Sequence, residues 1–399
     1  MRLASRLLAR RGAHNLATVP NATLRLVAGA GCARLVVKTN METYSAQLEG
    51  VASDGSPIAD AELAAWAAAD AQSGDLDIDA RSAHAVTVSV PASYNVSVAA
   101  SGDTDVEMQG WLEGTVDVVV AGRGAVGVNT VRGLLTSVRT GGGDVSVDHV
   151  EGNLTVQGAH DVKLGKIMGE DVRVAGSGLL RSRAVYAKRI DVRTDGGMNA
   201  AVVSAEEGLF SVRGDCTLNS AEGVLQIVHR GASPMTVQAS EQLRSLTVSR
   251  AAESGDASPH ITVHLPEGMA ARAEVLAAEL TLAEALEAVS VPRGSGGAIT
   301  APVAELSTSG TKEFAGYEHG STTSDVPWWS AEARNTWITT GDAPLADGSA
   351  AYLLGGASVE GTACEMRIIA ADARVDMSSQ SWFQQRLKSP TERKAQPYR

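Results

Sequence analysis

The chain of 399 residues carries a formal net charge of −12, and it contains 41 glycines but only six Trp, six Tyr and three Phe. That length suits one large domain or two ordinary ones. The shortage of large rings argues against a compact enzyme core, whereas valine and small residues suit thin, stacked β-layers. An acidic body repels phosphate backbones, so we expect no nucleic-acid binding.

Residues 1–41 are basic, since the first acidic residue is Glu42. Within residues 1–20, arginines recur every four residues on one helical face and leucines share another: Arg2, Arg6, Arg10, Leu3 and Leu7. This pattern is typical of an organelle presequence, although a disordered basic tail would have the same composition. We therefore predict a mitochondrial presequence and linker over 1–41, and location in the mitochondrial matrix.

An alanine-rich stretch around Trp66 occupies residues 42–80, which we predict to be an N-terminal cap. Glycines then punctuate residues 81–290 at intervals of mostly 17 to 20 residues, with short alternating apolar runs between them, such as Val116 to Val120. Period-two alternation gives each strand one apolar face, and runs this short are stable only when they stack as successive coils. The pattern predicts an all-β fold, a single-stranded β-solenoid (β-helix) of about nine or ten coils.

The C-terminal third of the sequence is less regular. The segment 270–289 is ambiguous, because its Ala, Glu and Leu content favours a helix while an echo of the earlier V-x-V-P pattern would continue it as a strand. The remaining predicted segments are an irregular insertion over 291–350 that is rich in Gly, Ser and Thr, a closing β segment over 351–385 and a basic tail over 386–399. The insertion carries Trp328, Trp329 and Trp337, which we expect to pack against the solenoid wall.

Two sequence motifs resemble ligand-binding sites, but both are better explained by the corners and strands of a solenoid. Gly122, Gly124 and Gly127 match the G-x-G-x-x-G of dinucleotide sites, but such a site needs a helix to begin there, and the following residues have no helical period. His260 and His264 have a spacing that binds zinc on a helix, but on a strand they lie about 13 Å apart, too far for one ion. We interpret the glycines as solenoid corners and the histidines as solvated side chains.

Carboxylates form a first acidic row, Asp75, Asp77 and Asp79, and a second acidic row, Asp103, Asp105 and Glu107. The first row departs from a calcium loop, which needs Gly at its sixth position and Glu at its twelfth. Either row could hold a divalent ion or act in acid–base catalysis, but a solvated acidic face accounts for both. Cys216 and Cys364 share the parity of core residues. We therefore predict no catalytic, cofactor-binding or metal-binding residues.

The punctuation of residues 86–249 resembles that of a known domain family. Its V-x-V-P, G-x-V-x-V and E-G-x-L-x-V motifs lie at 86–91, 143–147 and 151–156. They are similar to the adhesin-type domain family, a bacterial-type β-solenoid of unknown function. With the presequence, and with the motif SWFQQ at 381–385, the chain also resembles the eukaryotic group called "family with sequence similarity 185". The resemblance implies a β-solenoid and supplies no catalytic residues.

The sequence favours a non-enzymatic mitochondrial β-solenoid that serves as an interaction or assembly scaffold for a protein partner. Stacked coils would also allow end-to-end self-association. No apolar run approaches the roughly 20 residues needed to cross a bilayer, so we predict no transmembrane segment.

Two alternative functions stay open. A carbohydrate-active β-helix enzyme would use the second acidic row, although the aromatic subsites that sugars need are scarce. A secreted, adhesin-like surface protein would display the N-x-S/T sequons that begin at Asn21, Asn95 and Asn153, and it could pair Cys216 with Cys364.

Overall fold

The computed structural model describes residues 13–17, 22–39, 45–69, 75–250, 260–266, 271–276, 339–340, 350–354, 364–369 and 374–380. Strands account for 70% of the structure, and they stack as coils into a β-solenoid of about 8 turns. The all-β solenoid predicted from the alternation is therefore confirmed, with slightly fewer turns than expected. The chain divides into two compact units, Met1–Lys188 and Arg189–Arg399.

The secondary structure consists of short strands and, among the described residues, one helix, α1 (Asp60–Trp66). The earlier strands are β1 (Ala13–Ala17), β2 (Thr23–Ala28), β3 (Arg34–Thr39), β4 (Ser45–Val51), β5 (Ala67–Ala69), β6 (Leu76–Ala80), β7 (Ala85–Val90), β8 (Asn95–Ala100), β9 (Asp105–Leu112), β10 (Val116–Val120), β11 (Val126–Val131), β12 (Leu135–Thr140), β13 (Val145–Glu151), β14 (Asn153–Ala159) and β15 (Val162–Gly176). The later strands are β16 (Leu180–Thr194), β17 (Met198–Ala200), β18 (Val203–Val212), β19 (Cys216–His229), β20 (Met235–Arg250), β21 (His260–Pro266), β22 (Ala271–Leu276), β23 (Thr339–Thr340), β24 (Ala350–Leu354), β25 (Cys364–Ile369) and β26 (Arg374–Gln380).

Each coil of the first unit contributes one strand to each of two parallel sheets. The front sheet contains β6, β2, β8, β10, β12, β14 and the end of β15, in that order. The back sheet contains β7, β3, β9, β11, β13 and the start of β15. Apolar side chains from both sheets point into one narrow core, which leaves little room for large rings and explains the composition.

The sheet order reveals a coil that the sequence analysis missed. Strands β2 and β3 form a coil that lies between the β6–β7 coil and the β8–β9 coil, and we call it the intercalated coil. Its inward residues Leu24 and Leu35 are both fully buried. From the sequence alone, these strands fall in the predicted 1–41 presequence and linker, and the solenoid is predicted to begin at 81. Arg25 and Arg34 add to the basic composition of that segment and obscure the alternation on either side of them.

Antiparallel strands and the helix cover the coil at the N-terminal end. Strand β4 pairs with β7, β1 pairs with β4, and β5 pairs with β6, all antiparallel. Helix α1 packs through Leu63, which is fully buried. Most of these elements belong to the 42–80 segment that was predicted to be a cap. Covering an end strand satisfies an edge that would otherwise attract further strands.

Glycine is required where the backbone of one coil passes close to the next. Gly152, at the corner between β13 and β14, has a φ of +146°, and a Cβ there would collide with the carbonyl oxygen of Gly133 in the preceding coil. A side chain is excluded at this corner by both conformation and space.

In the second unit the coils again pair in parallel, through β17–β19, β18–β19, β19–β20 and β20–β21. Strand β25 lies between β20 and β22, and β26 pairs with β21. Strand β25, which belongs to the predicted closing segment, is thus inserted between two strands that precede it in the sequence. Antiparallel pairing of β24 with β22 and of β23 with β24 covers one edge.

Several predicted segments fall wholly or partly outside the described residues. Residues 271–276 form a strand, β22, which resolves that part of the ambiguous 270–289 segment in favour of β-structure. The rest of that segment, the tryptophans of the 291–350 insertion and the 386–399 tail lie outside the described residues.

We predict that Val147→Asp unfolds the first unit, whereas Ser146→Asp is nearly neutral. Val147 is fully buried on the inner face of β13 and Ser146 lies on the outer face, partly exposed. A buried, unpaired carboxylate costs on the order of several kcal/mol. Circular dichroism and the yield of soluble protein measure the outcome. Equal tolerance of both substitutions would contradict the assignment of faces in this coil.

Candidate functional site

The second acidic row points outward, as predicted, and ties one coil to the next. Asp103 Oδ1 accepts a hydrogen bond from the backbone N–H of Arg123 at 2.6 Å, and Asp105 Oδ1 accepts one from Ala125 at 2.9 Å. The donors belong to the next corner of the solenoid. These carboxylates therefore satisfy backbone groups that a corner leaves unpaired.

Arginines of the intercalated coil pair with carboxylates on both neighbouring coils. Arg25 contacts Asp75 at 3.1 Å and Asp77 at 3.2 Å on one side. Arg34 contacts Glu107 at 2.7 Å on the other. The pKa of Glu107 is lowered, first by a hydrogen bond from the Gln109 side chain and then by Arg34. Arg25 and Arg34, which belong to the predicted presequence and linker, thus form ion pairs between coils of the folded domain.

Two of the three glycines in the G-x-G-x-x-G motif lie at a solenoid corner, as interpreted from the sequence, whereas the third lies on a strand. Gly122 and Gly124 lie between β10 and β11, where a Cβ would collide with backbone carbonyls of Gly102 and Thr104 respectively. Gly127 lies within β11 itself. A strand, rather than a helix, follows the motif, so it lacks the helix N-terminus that binds a pyrophosphate.

The histidines and cysteines singled out in the sequence occupy strands. His260 and His264 lie on the outer face of β21, the first exposed and the second half-buried. Cys216 and Cys364 are buried in the core, as their parity predicted. Burial raises the pKa of the Cys216 thiol to about 12, which keeps it protonated and unreactive. Cys216 is a free thiol, so the disulfide considered for a secreted protein is not formed.

Two consecutive leucines are exposed where the corner after β11 leads into β12, and we call this pair the leucine corner. Leu134 is 84% exposed and Leu135 is 42% exposed. The corner is held in place because the backbone N–H of Asn153 donates a hydrogen bond to the carbonyl oxygen of Leu134 at 3.1 Å. An exposed apolar pair on a rigid backbone is suited to contact with another molecule.

A ladder of aromatic and charged side chains lies where the back-sheet strands β9, β11 and β13 end. The Arg132 guanidinium lies 4.9 Å from the ring centroid of Trp111, a cation–π distance. Its Nε lies 3.4 Å from Glu151 Oε1, which is also 3.0 Å from His149 Nε2. The hydrogen bond with His149 is the main reason that the pKa of Glu151 is lowered. These contacts join coils across the surface.

A cluster of three potential metal ligands lies at the front-to-back corners of two adjacent coils. Asp144, His160 and Asp161 present one ligand atom each, and these atoms lie within 4.8 Å of one another. We call this cluster the corner triad. The sequence alone predicts no metal-binding residues, because the two aspartates are one coil apart rather than at a recognised local spacing. The signal available was an Asp recurring after one coil length with a His beside it.

In the second unit, two basic residues are buried where the neighbouring strands β19 and β20 end. His229 is opposite Arg250 in register, and they are only 1% and 6% exposed. His229 Nε2 lies 3.3 Å from the carbonyl oxygen of Gly214. Burial, assisted by the positive charge of Arg250, lowers the pKa of His229 despite the nearby carbonyl groups. The imidazole is therefore neutral in the folded protein near pH 7.

The tryptophans at 328, 329 and 337 lie outside the described residues, so their predicted packing against the wall is not tested. Among the described residues, no helix has the length and apolar character needed to cross a membrane.

We predict that acidification destabilises the second unit through His229. Its folded pKa is below the unfolded value of about 6.5, so the unfolded state binds the proton first and stability falls as the pH drops below that value. One proton contributes a slope of at most about 1.4 kcal/mol per pH unit. Thermal unfolding of His229→Gln between about pH 7.5 and 5 should show a shallower decline than the wild type. The matched change at the exposed His84, His84→Gln, should leave the wild-type decline unaltered; identical profiles for all three proteins would refute the assignment.

Comparison with known proteins finds no matching family model and no matching curated protein. The resemblance to adhesin-type β-solenoid domains therefore stays a prediction from the sequence. Support for a function has to come from the chain's own side chains.

Proposed function

We propose that the chain is a non-enzymatic β-solenoid that serves as an interaction or assembly scaffold for a protein partner. The observation that supports this most directly is the leucine corner. Leu134 and Leu135 expose apolar surface side by side, on a backbone that the next coil holds in place. A rigid apolar anchor loses little conformational entropy when a partner covers it, and such anchors contribute most of the affinity in many interfaces.

The use of the outward carboxylates also favours a scaffold over a carbohydrate-active enzyme. Glycoside hydrolysis needs two carboxyl groups that converge on one substrate bond. In the second acidic row, Asp103 and Asp105 instead bind backbone N–H groups of the next corner, and Glu107 binds Arg34. Side chains engaged in joining coils are poorly placed to exchange protons with a sugar.

We also propose that the protein works in the mitochondrial matrix. The support is the arginine and leucine pattern at the N-terminus of the sequence, which is typical of a presequence. Strand β1, Ala13–Ala17, pairs with β4 and so belongs to the folded domain. We therefore propose that the targeting signal lies within residues 2–12, ahead of that strand.

The double substitution Leu134→Ser and Leu135→Thr should abolish capture of a partner. Affinity purification from isolated mitochondria, followed by quantitative mass spectrometry, compares the variant with wild type and with Ser137→Glu, a polar change on the outer face of the same strand. We expect one protein to be recovered at least tenfold less with the double variant and at an unchanged level with Ser137→Glu. Recovery of the same proteins in the same amounts with all three baits would overturn the leucine corner as the binding site.

Neutralising the arginines of the predicted presequence should prevent import into mitochondria. A variant with Arg2, Arg6 and Arg10 all changed to Gln is expected to stay in the cytosol when tagged at its C-terminus, because a presequence depends on its positive face. The matched variant with all three changed to Lys keeps the charge and should reach the mitochondrion. A mitochondrial signal from the Gln variant, or a non-mitochondrial signal from the intact chain, would contradict the proposed location.

A further inference from the structure

We propose that the corner triad of Asp144, His160 and Asp161 binds a divalent transition-metal ion of the zinc class. This site goes beyond the proposed scaffold function and does not depend on it. An imidazole nitrogen and two carboxylate oxygens form a donor set that zinc accepts, whereas calcium and magnesium prefer oxygen ligands alone.

The solenoid itself brings the ligands together. Asp144 directly precedes β13 and Asp161 directly precedes β15, and Val145 is opposite Val162 in the parallel register of these strands. The two aspartates consequently lie on adjacent rungs of one sheet, roughly 4.8 Å apart along the stack. His160 precedes Asp161 in the same corner, so its ring can reach both carboxylates.

Hydrogen bonds to neighbouring coils hold the ligands in position before any ion arrives. Asp144 Oδ1 accepts the backbone N–H of Asp161 at 3.2 Å, and Asp161 Oδ1 accepts that of Leu179 at 2.8 Å. The backbone N–H of His160 donates to the carbonyl oxygen of Gly143 at 3.0 Å. Carboxylate oxygens have lone pairs beyond those that these bonds use. Such outer contacts orient metal ligands in known sites.

The distances within the triad fit two ligands around an ion better than they fit a hydrogen bond. His160 Nδ1 is 3.5 Å from Asp144 Oδ1 and 3.5 Å from Asp161 Oδ1. A good N–H···O bond is about 2.7–3.2 Å long. Two ligands that are each about 2.0–2.2 Å from a tetrahedral zinc lie about 3.3–3.6 Å from one another. The imidazole is equidistant from both carboxylates at this ligand-to-ligand spacing.

The two carboxylates of the triad carry adjacent negative charges, and neither forms an ion pair with a lysine or arginine among the described residues. Within the part of the chain that the structure describes, the ion pairs of Asp144 and Asp161 involve only His160. By contrast, Asp117 pairs with Arg139 and Asp191 pairs with Arg193. A divalent cation would neutralise the two adjacent carboxylates at the triad.

Access and space allow an ion to enter. The side chains of Asp144, His160 and Asp161 are 68%, 62% and 45% exposed, so water can complete the coordination. The next coil passes over Asp161 at Gly178, where a Cβ would collide with the Asp161 carboxylate and with the carbonyl group of His160. An ion bound here would join the corners of two coils, and it would stabilise the folded chain because the unfolded chain lacks the site.

Isothermal titration calorimetry of the untagged full chain with Zn²⁺ tests the proposal. We expect one ion per chain, at least tenfold weaker binding in His160→Ala and Asp144→Asn, and unchanged binding in Asp103→Asn. Asp103 is the matched control, because it makes the same kind of corner hydrogen bond to a backbone N–H without a histidine beside it. Asparagine keeps the oxygen acceptor, so Asp144→Asn should retain the fold, which circular dichroism verifies.

Two further measurements make the outcome unambiguous. Zn²⁺ should raise the thermal unfolding midpoint of wild type and of Asp103→Asn, reversibly with EDTA, and should leave that of Asp144→Asn unchanged. Co²⁺ should give visible absorption bands that His160→Ala lacks. Absence of zinc binding by wild type, or binding that survives His160→Ala with the same affinity, would overturn the site.

Discussion

Parallel pairing between strands one coil apart is the constraint on which the rest of this structure depends. Every coil must keep its inward residues above those of its neighbour, because a slip of one residue would turn the valines outward. The register of β10 with both β8 and β12 places Val118 in a continuous apolar column with Val98 and Val138. Corners must then repeat at nearly the same length, and glycine is used where one backbone passes over another.

The same constraint explains the use of polar residues at the corners. A corner interrupts the ladder of backbone hydrogen bonds, and its N–H groups need acceptors. Asp103, Asp105 and Asp161 provide carboxylate oxygens, and Asn153 provides its amide oxygen to Glu170 and Asp171 in the following coil. Acidic and amide side chains that a sequence motif search would assign to catalysis or glycosylation therefore have a structural role.

Local alternation was sufficient to predict strands such as Val116–Val120, the outward direction of both acidic rows and the burial of Cys216. It could not predict the intercalated coil, because pairing between distant strands leaves no period in the sequence, and Arg25 and Arg34 obscured the apolar pattern around them. The corner triad was missed for a related reason. Asp144 and His160 are neighbours only after the coils stack, so their contact is encoded in the coil length rather than in any spacing along one strand.

The position of the intercalated coil has a consequence for the order in which the chain can assemble. Its strands lie early in the sequence, yet Glu107, the ion-pair partner of Arg34, lies 73 residues further along the chain. A chain that emerges from a ribosome or a membrane pore with its N-terminus first can pair β2 and β3 on one side once β6 and β7 arrive. Their other edges stay open until β8 and β9 arrive, and closing so long a loop delays these contacts. Once both neighbours are in place, the N-terminal segment is held between two later coils. Strands β2 and β3 cannot then leave the stack without breaking parallel ladders on both sides, so local opening at this coil requires disruption of both neighbouring coils.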